Sequence, residues 1–339
     1  MSDGSRHVAS LLHDDALVVR AESAVLPLVS RWLPLHAPLV ARDHTVADEH
    51  VATIDVTVRR SDEPNVPRAD PLVIVFGGVR VLRDPGDVLA LTTTSRARGW
   101  IDLAARRATI EAPSGDDGRG DEERVEAAVY SMLTLSAAFL LGRIGGALVH
   151  AGGIVDPEGR AWLLIGDTHA GKTTTTVSLV AEGWRFLGDD QVVLRANGDG
   201  TLDVQGWPRH AHLDEGWAES AVTGSRAAVD LRAQWGDRWL SRAPLGGLLL
   251  PTVRASEPTS AARVDAATAF TALVRQSPWL IADRGAAPAV MALLRDASAQ
   301  PAYGLSLGRD GYARGDVLAA CLAPARAAAD GIASRAPSR

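Results

Sequence analysis

The apolar positions of the first hundred residues fall in short runs broken by polar and turn residues, a texture that predicts strands. Such runs occupy residues 16–19, 51–58, 72–76 and 100–103, and from Thr53 to Val58 apolar and polar side chains alternate as in a half-buried strand. Pro64, Pro67, Pro71 and the Gly77-Gly78 pair punctuate them as turns. A small β-rich domain over residues 1–111 is the expectation. Residues 112–121 hold no apolar side chain larger than proline or alanine and read as a linker. The period then changes to a helix from about Glu122, with Asp121 as its N-cap and acids in its first turn. Its body at 127–142 is almost wholly apolar but short of a membrane span, so it reads as a buried helix under the domain that follows.

Beyond it, strands and helices alternate. A hairpin over 149–165 turns at Asp156-Pro157-Glu158-Gly159, which puts His150 on a strand, and the apolar run at 160–165 reads as a buried strand. A helix is expected over 173–182 with Gly183 as its stop, then a strand over 184–190 that ends in two adjacent carboxylates. A second hairpin over 192–204 turns at Asn197-Gly198-Asp199-Gly200. A core strand at 245–250, helices at 264–274 and 287–294, a strand at 303–307 and a helix over 315–328 broken near Pro324 complete the pattern. This is an α/β domain over residues 122–330, followed by a small polar tail at 331–339.

The candidate chemistry lies in the middle of that domain. Gly166-Asp167-Thr168-His169-Ala170-Gly171-Lys172-Thr173 fits GxxxxGK[ST], a loop whose amides wrap a triphosphate while its lysine reaches the outer phosphates and its hydroxyl takes a magnesium position. Lys172 is the sole lysine among 35 Lys and Arg residues in a chain of 339. Arginine serves wherever a solvated cation is enough. A compact ammonium fits between phosphate oxygens where a planar guanidinium would displace the loop. The expected nucleotide contacts are Gly166, Asp167, Thr168, His169, Ala170, Gly171, Lys172, Thr173 and Thr174, with ATP and Mg2+ as ligands. Past the following helix, Asp189 and Asp190 end a strand, where a metal ligand and a catalytic base belong.

Residues 149–155, the run Gly-Arg-Ala-Trp-Leu-Leu-Ile-Gly-Asp before the loop and Glu-Gly-Trp-Arg-Phe-Leu-Gly-Asp-Asp after it resemble the catalytic core of the HPr kinase/phosphorylase family. The likeness is greatest to HPr-kinase-related proteins found with peptide-modifying systems. Gly188-Asp189-Asp190 after a GKTT loop is also similar to ATP-dependent phosphoenolpyruvate carboxykinase, which shares that core. The resemblance is good over residues 145–210, thins towards 320, and is absent before 120. It implies a P-loop nucleotide-binding fold of the HPr kinase C-terminal/carboxykinase-like type. It further implies Lys172 on phosphate, Thr173 and Asp190 on magnesium, Asp189 as the base, and His150 in the active-site wall; the two aspartates can exchange roles. The chain departs from the family at Thr168-His169, where Ser-Gly is usual, and at Thr174, where bifunctional members often carry glutamate. Phosphorolysis of phosphoserine is not implied.

Charge and composition narrow the partners. A net charge of −6, with arginines interleaved among acids, argues against a nucleic-acid surface. One cysteine, Cys321, and a start without a basic, then apolar, signal lead to the expectation of a cytoplasmic protein with no membrane. Trp207, Trp217, Trp235 and Trp239 fall among Arg209, Arg226, Arg232, Arg238 and Arg242, the enrichment of a peptide-binding surface or of a packed insert or subunit contact, so a homo-oligomer stays open. His36, His44, His50 and the pair His210 and His212 lack the company a metal site needs. The functional expectation is a serine kinase acting on a protein or peptide. A carboxykinase-like enzyme acting on a small molecule and a nucleotide-binding switch without phosphoryl transfer are its rivals.

Overall fold

The computed structural model describes residues 6–12, 16–30, 40–41, 52–58, 70–84, 87–113, 122–207, 211–214, 226–229, 236–312 and 314–333. Two compact units divide the chain, Met1–Gly146 with Pro278–Ala289, and Ala147–Ser277 with Val290–Arg339.

The first unit is built on a nine-stranded sheet. Its strands are Arg6–Ser10 (β1), Leu17–Glu22 (β2), Val40–Ala41 (β3), Ala52–Val58 (β4), Asp70–Phe76 (β5), Val79–Asp84 (β6), Val88–Thr92 (β7), Arg98–Asp102 (β8) and Arg107–Ala112 (β9). They lie in the order β3-β1-β2-β4-β9-β8-β7-β6-β5, with β4 parallel to both β2 and β9 and the rest antiparallel. The alternation in β4 has its expected effect: Ile54 and Val56 are fully buried while Asp55 and Thr57 are part-exposed. A short helix, Leu26–Ser30 (α1), precedes the long helix Glu122–Arg143 (α2), which lies against β2, β4, β6 and β9.

The sequence pattern assigns α2 to the domain that follows, but its packing assigns it to the first unit. A helix that is apolar nearly all round must be covered on more than one side, and within this unit the sheet, α1 and Pro278–Ile281 all pack on it. The start of α2 at Glu122 is where the pattern places it, and the helix ends at Arg143, one residue past the apolar body. By length and composition Glu123–Arg143 could cross a membrane, but 83% of its apolar window is buried within the fold. Of the expected linker, residues 114–121 lie outside the described residues, as do His36, His44 and His50.

The second unit has a mixed sheet with helices, an α/β architecture. Its strands are Gly146–Val149 (β10), Ala151–Val155 (β11), Ala161–Ile165 (β12), Arg185–Gly188 (β13), Val192–Ala196 (β14), Leu202–Gly206 (β15), Ala211–Asp214 (β16), Arg226–Val229 (β17), Arg242–Val253 (β18), Ser260–Arg263 (β19) and Ala302–Leu307 (β20). The order is β10-β14-β15-β18-β12-β11-β13, with β20 on β18 and β19 on β20, while β16 and β17 form a separate hairpin. The central strands β12, β18 and β20 are parallel. Both expected hairpins form, β11 with β12 and β14 with β15.

The helices of this unit are Lys172–Ala181 (α3), Ala266–Arg275 (α4), Ala287–Ser298 (α5, whose first residues belong to the first unit) and Gly315–Ala333 (α6). Leu179 of α3 and Leu318 and Leu322 of α6 share a core with Trp162, Trp184, Leu249 and Leu305. Gly315 presses against α3, where a Cβ would stand 2.2 Å from the Ser178 carbonyl. The expected break near Pro324 does not occur: α6 runs through it as one helix. Of the tryptophans weighed as a peptide surface, Trp207 is buried in the core and Trp239, part-exposed, packs on Phe186 at 5.1 Å, while Trp217, Trp235, Arg209, Arg232 and His210 lie outside the described residues.

Candidate functional site

Every residue of β12 is buried, and the loop that leaves it turns back sharply to start α3. Gly166 and Gly171 allow that turn. A Cβ on Gly166 would lie 2.9 Å from that of Ala170, and Gly171 combines a φ of 96° with a Cβ position 2.4 Å from Leu307. His169 also has a left-handed backbone, φ 67°, which is the physical reason a glycine suits that position better. No side chain caps the N terminus of α3, so its first amides and positive dipole end face the loop.

Lys172 begins the helix and folds back over the loop. Its Nζ donates to the carbonyls of Gly166 at 2.8 Å and Asp167 at 3.2 Å, lies 3.8 Å from Asp190 Oδ1, and is 6% exposed. Thr173 points elsewhere and donates from Oγ1 to both carboxylate oxygens of Asp189, at 3.0 and 3.3 Å. Asp189 is 2% exposed at the end of β13.

Asp190 faces a different set of groups because the chain does not continue as a strand. The Gln191 amide donates to the Asp189 carbonyl at 2.8 Å, closing a γ-turn around Asp190 with φ 65°. The turn brings Asp190 Oδ1 to 2.6 Å from His150 Nε2. His150 is not on a strand as expected. It is the bend between β10 and β11, where the chain leaves one sheet partner for another. The pairing of Thr173 with Asp189 rather than Asp190 is the exchanged arrangement of the two acids.

Gln276, which ends α4, was not foreseen. Its carbonyl accepts from the His150 amide at 2.9 Å and its Nε2 donates to Asp167 Oδ1 at 2.9 Å. Asp167, Gln276, His150, Asp190 and Lys172 thus form a ring of polar contacts that returns to the loop. No local pattern marks Gln276, which lies 109 residues from Asp167. Beside the loop opens a cleft of about 430 Å³, lined by Ile165–Ala170, Leu250–Val253, Ala272, Arg275 and Gln276.

Thr173 and Asp189 suit a small hard cation that takes one or two protein oxygens and fills its shell from water and phosphate. Among the described residues no group of three or more His, Cys, Asp or Glu side chains could hold a metal by itself.

No family model and no curated protein matches the chain. Among solved structures, the HPr(Ser) kinase/phosphatase from Coxiella burnetii is similar over 55% of this chain and 94% of its own, at 12% identity and a TM-score of 0.34. At that distance function has to be argued from the site's own geometry.

Proposed function

We propose that this chain is an ATP-dependent kinase that moves the γ-phosphoryl group onto a hydroxyl, serine first, of a protein or peptide. One observation carries the reading: the chain's sole lysine is buried beneath a glycine-bounded loop at a helix N terminus, 3.8 Å from an aspartate. An ammonium, the amides of a helix N terminus and the helix dipole converging on one spot suit a triphosphate.

In this reading Lys172 and the amides of the loop and of Thr173 and Thr174 hold the phosphates. Thr173 and Asp189 would hold magnesium, which when bound neutralises charge on the β- and γ-phosphate oxygens. Asp190 is the base. It takes the acceptor's hydroxyl proton as the new O–P bond forms and the bond between the γ-phosphorus and its bridging oxygen breaks, releasing ADP. His150, 2.6 Å from the same carboxylate, orients it. This reading takes the second of the two assignments that the sequence leaves open for the aspartates.

Paired substitutions test this. Asp189→Asn is expected to lose both magnesium-dependent ATP binding and turnover. Asp190→Asn is expected to keep binding in calorimetry while transfer falls about 10² to 10⁴-fold, the worth of a positioned base. Transfer is followed with γ-labelled ATP and candidate polypeptides. Parental rates in both variants would sink the assignment, label in a small product would favour the small-molecule rival, and binding without any transfer would favour a switch.

A further inference from the structure

We propose that Gln276 is a positioning residue that ties the phosphate loop to the base, holding the loop with its side chain and the base's partner with its main chain. The proposal rests on the kinase reading and adds to it what sets the distance between the two ends of the reaction.

Three bonds in series make the tie. Gln276 Nε2 donates to Asp167 Oδ1 at 2.9 Å, the Gln276 carbonyl accepts from the His150 amide at 2.9 Å, and His150 Nε2 stands 2.6 Å from Asp190 Oδ1. The first bond fixes the second residue of the loop, the second fixes the bend between β10 and β11, and the third carries that position to the carboxylate. Gln276 can anchor both because it is itself held. It is 7% exposed, and its own amide donates to the carbonyls of Ala272 and Leu273 at 3.2 Å each, closing the last turn of α4. That helix is capped at its other end by Asp265, which accepts from the Thr268 amide at 2.7 Å, and buries Ala269 and Leu273.

The residue type fits the task. Opposite a carboxylate an amide can present only its NH2 end, so the bond has one orientation, whereas a glutamate would face Asp167 with a like charge. Arg275 also pairs with Asp167, at 3.5 Å, but both side chains are exposed, at 68% and 71%, and such a pair is worth little. The buried amide is therefore the stronger restraint on a carboxylate carried by a loop that is to receive phosphates. Lys172 spans the same gap, from the Gly166 carbonyl at 2.8 Å to within 3.8 Å of Asp190, but in the kinase reading its ammonium turns to the phosphates. The tie through Gln276 uses no side chain that the phosphates engage, so it persists when the nucleotide is bound.

The test reads both ends of the tie. Transfer from γ-labelled ATP to a polypeptide acceptor, magnesium-ATP affinity by calorimetry, and the imidazole resonances of His150, assigned by their loss in His150→Gln, are compared across four forms of the full chain. These are the parent, Gln276→Met, Gln276→Glu, and Gln276→Glu combined with Asp167→Asn, with circular dichroism as a check of folding. Both single variants are expected to lower transfer by about 10- to 100-fold, the scale of a misplacement of about 1 Å, to keep ATP affinity within about threefold, and to shift the His150 resonances. The combined variant places the donor on the loop and the acceptor on α4. It is expected to recover most of the rate lost in Gln276→Glu and to return the His150 resonances towards those of the parent. The proposal is overturned if transfer or the His150 resonances stay parental in the single variants, if weaker ATP binding accounts for the slower transfer, or if the combined variant is no better than Gln276→Glu. Should Gln276→Met fail to fold, Gln276→Glu and the combined variant decide. A parent that transfers no phosphate removes the kinase reading alone, and the tie then stands or falls on whether the His150 resonances move in Gln276→Glu and return in the combined variant.

Discussion

Asp190 holds its carboxylate on a left-handed backbone, a conformation that costs an L-residue about 1 kcal/mol or more and persists where the surroundings impose it. The backbone and carboxylate contributions separate by substitution. Asp190→Gly and Asp190→Ala both remove the base and are expected to transfer phosphate equally poorly, but the glycine variant should be the more stable by about 1 kcal/mol in thermal denaturation, because glycine adopts positive φ without strain. Equal stabilities would mean that the turn imposes no strain. The same turn explains what could and could not be read beforehand. Two acids after an apolar run, beside a GxxxxGKT loop, are legible as a site. Which acid faces Thr173 is not, since an extended chain and a γ-turn send the second side chain in different directions. His150 was legible as a neighbour of the loop but not as a bend, and Gln276 reaches the site only through the tertiary fold.

At the scale of elements, the periodic and turn signals held wherever a segment was bounded by both. Strand β12, helix α3 with Gly183 at φ 95°, and the hairpins turning at Asp156 and Asn197 are where the pattern predicts them. Helix α6 is not broken at Pro324, because its packing on α3 and β20 outweighs one lost backbone bond. That helix is also tied to the β11–β12 turn. Arg326 donates from Nε to Glu158 Oε2 at 2.9 Å and from its other nitrogen to Oε1, and this bond holds the Glu158 carboxyl below its ordinary range. A carboxyl with a lowered folded pKa contributes stability above its unfolded value of about 4.5, and the contribution is lost as pH falls through the folded value. Arg326→Gln is therefore expected to flatten the loss of stability with acid below about pH 4.5 without adding dependence near neutrality. Parallel acid-denaturation curves for variant and parent would exclude the tie as a contributor.

At the scale of the molecule, the chain does not divide where its texture changes. Helix α2 belongs with the first sheet, and Pro278–Ala289 returns to that unit from the other half of the sequence. There Trp279 meets Phe76 edge-on at 5.9 Å, and Arg143 grips Asp283 in a two-bond fork at 2.6 and 2.7 Å while also pairing with Asp87 at 2.9 Å. Asp283 is 5% exposed in that pair and Asp87 45%. Asp283→Ala is expected to cost about 3 kcal/mol, since it removes the buried, two-bond partner of a mostly buried guanidinium and leaves it only the exposed Asp87, and Asp87→Ala less than about 1 kcal/mol. Similar melting temperatures for the two variants would show that the returning segment is held by apolar contacts alone. The solitary lysine has a consequence of another kind. Enzymes that cut after lysine have one bond to attack, between Lys172 and Thr173, and its side chain is buried beneath the loop. Native digestion can yield only residues 1–172 and 173–339, at a rate that measures how often the loop opens, and any ligand that closes the loop slows it. By the same token, acylation or conjugation at a lysine cannot mark this protein without striking the one side chain on which its proposed activity depends.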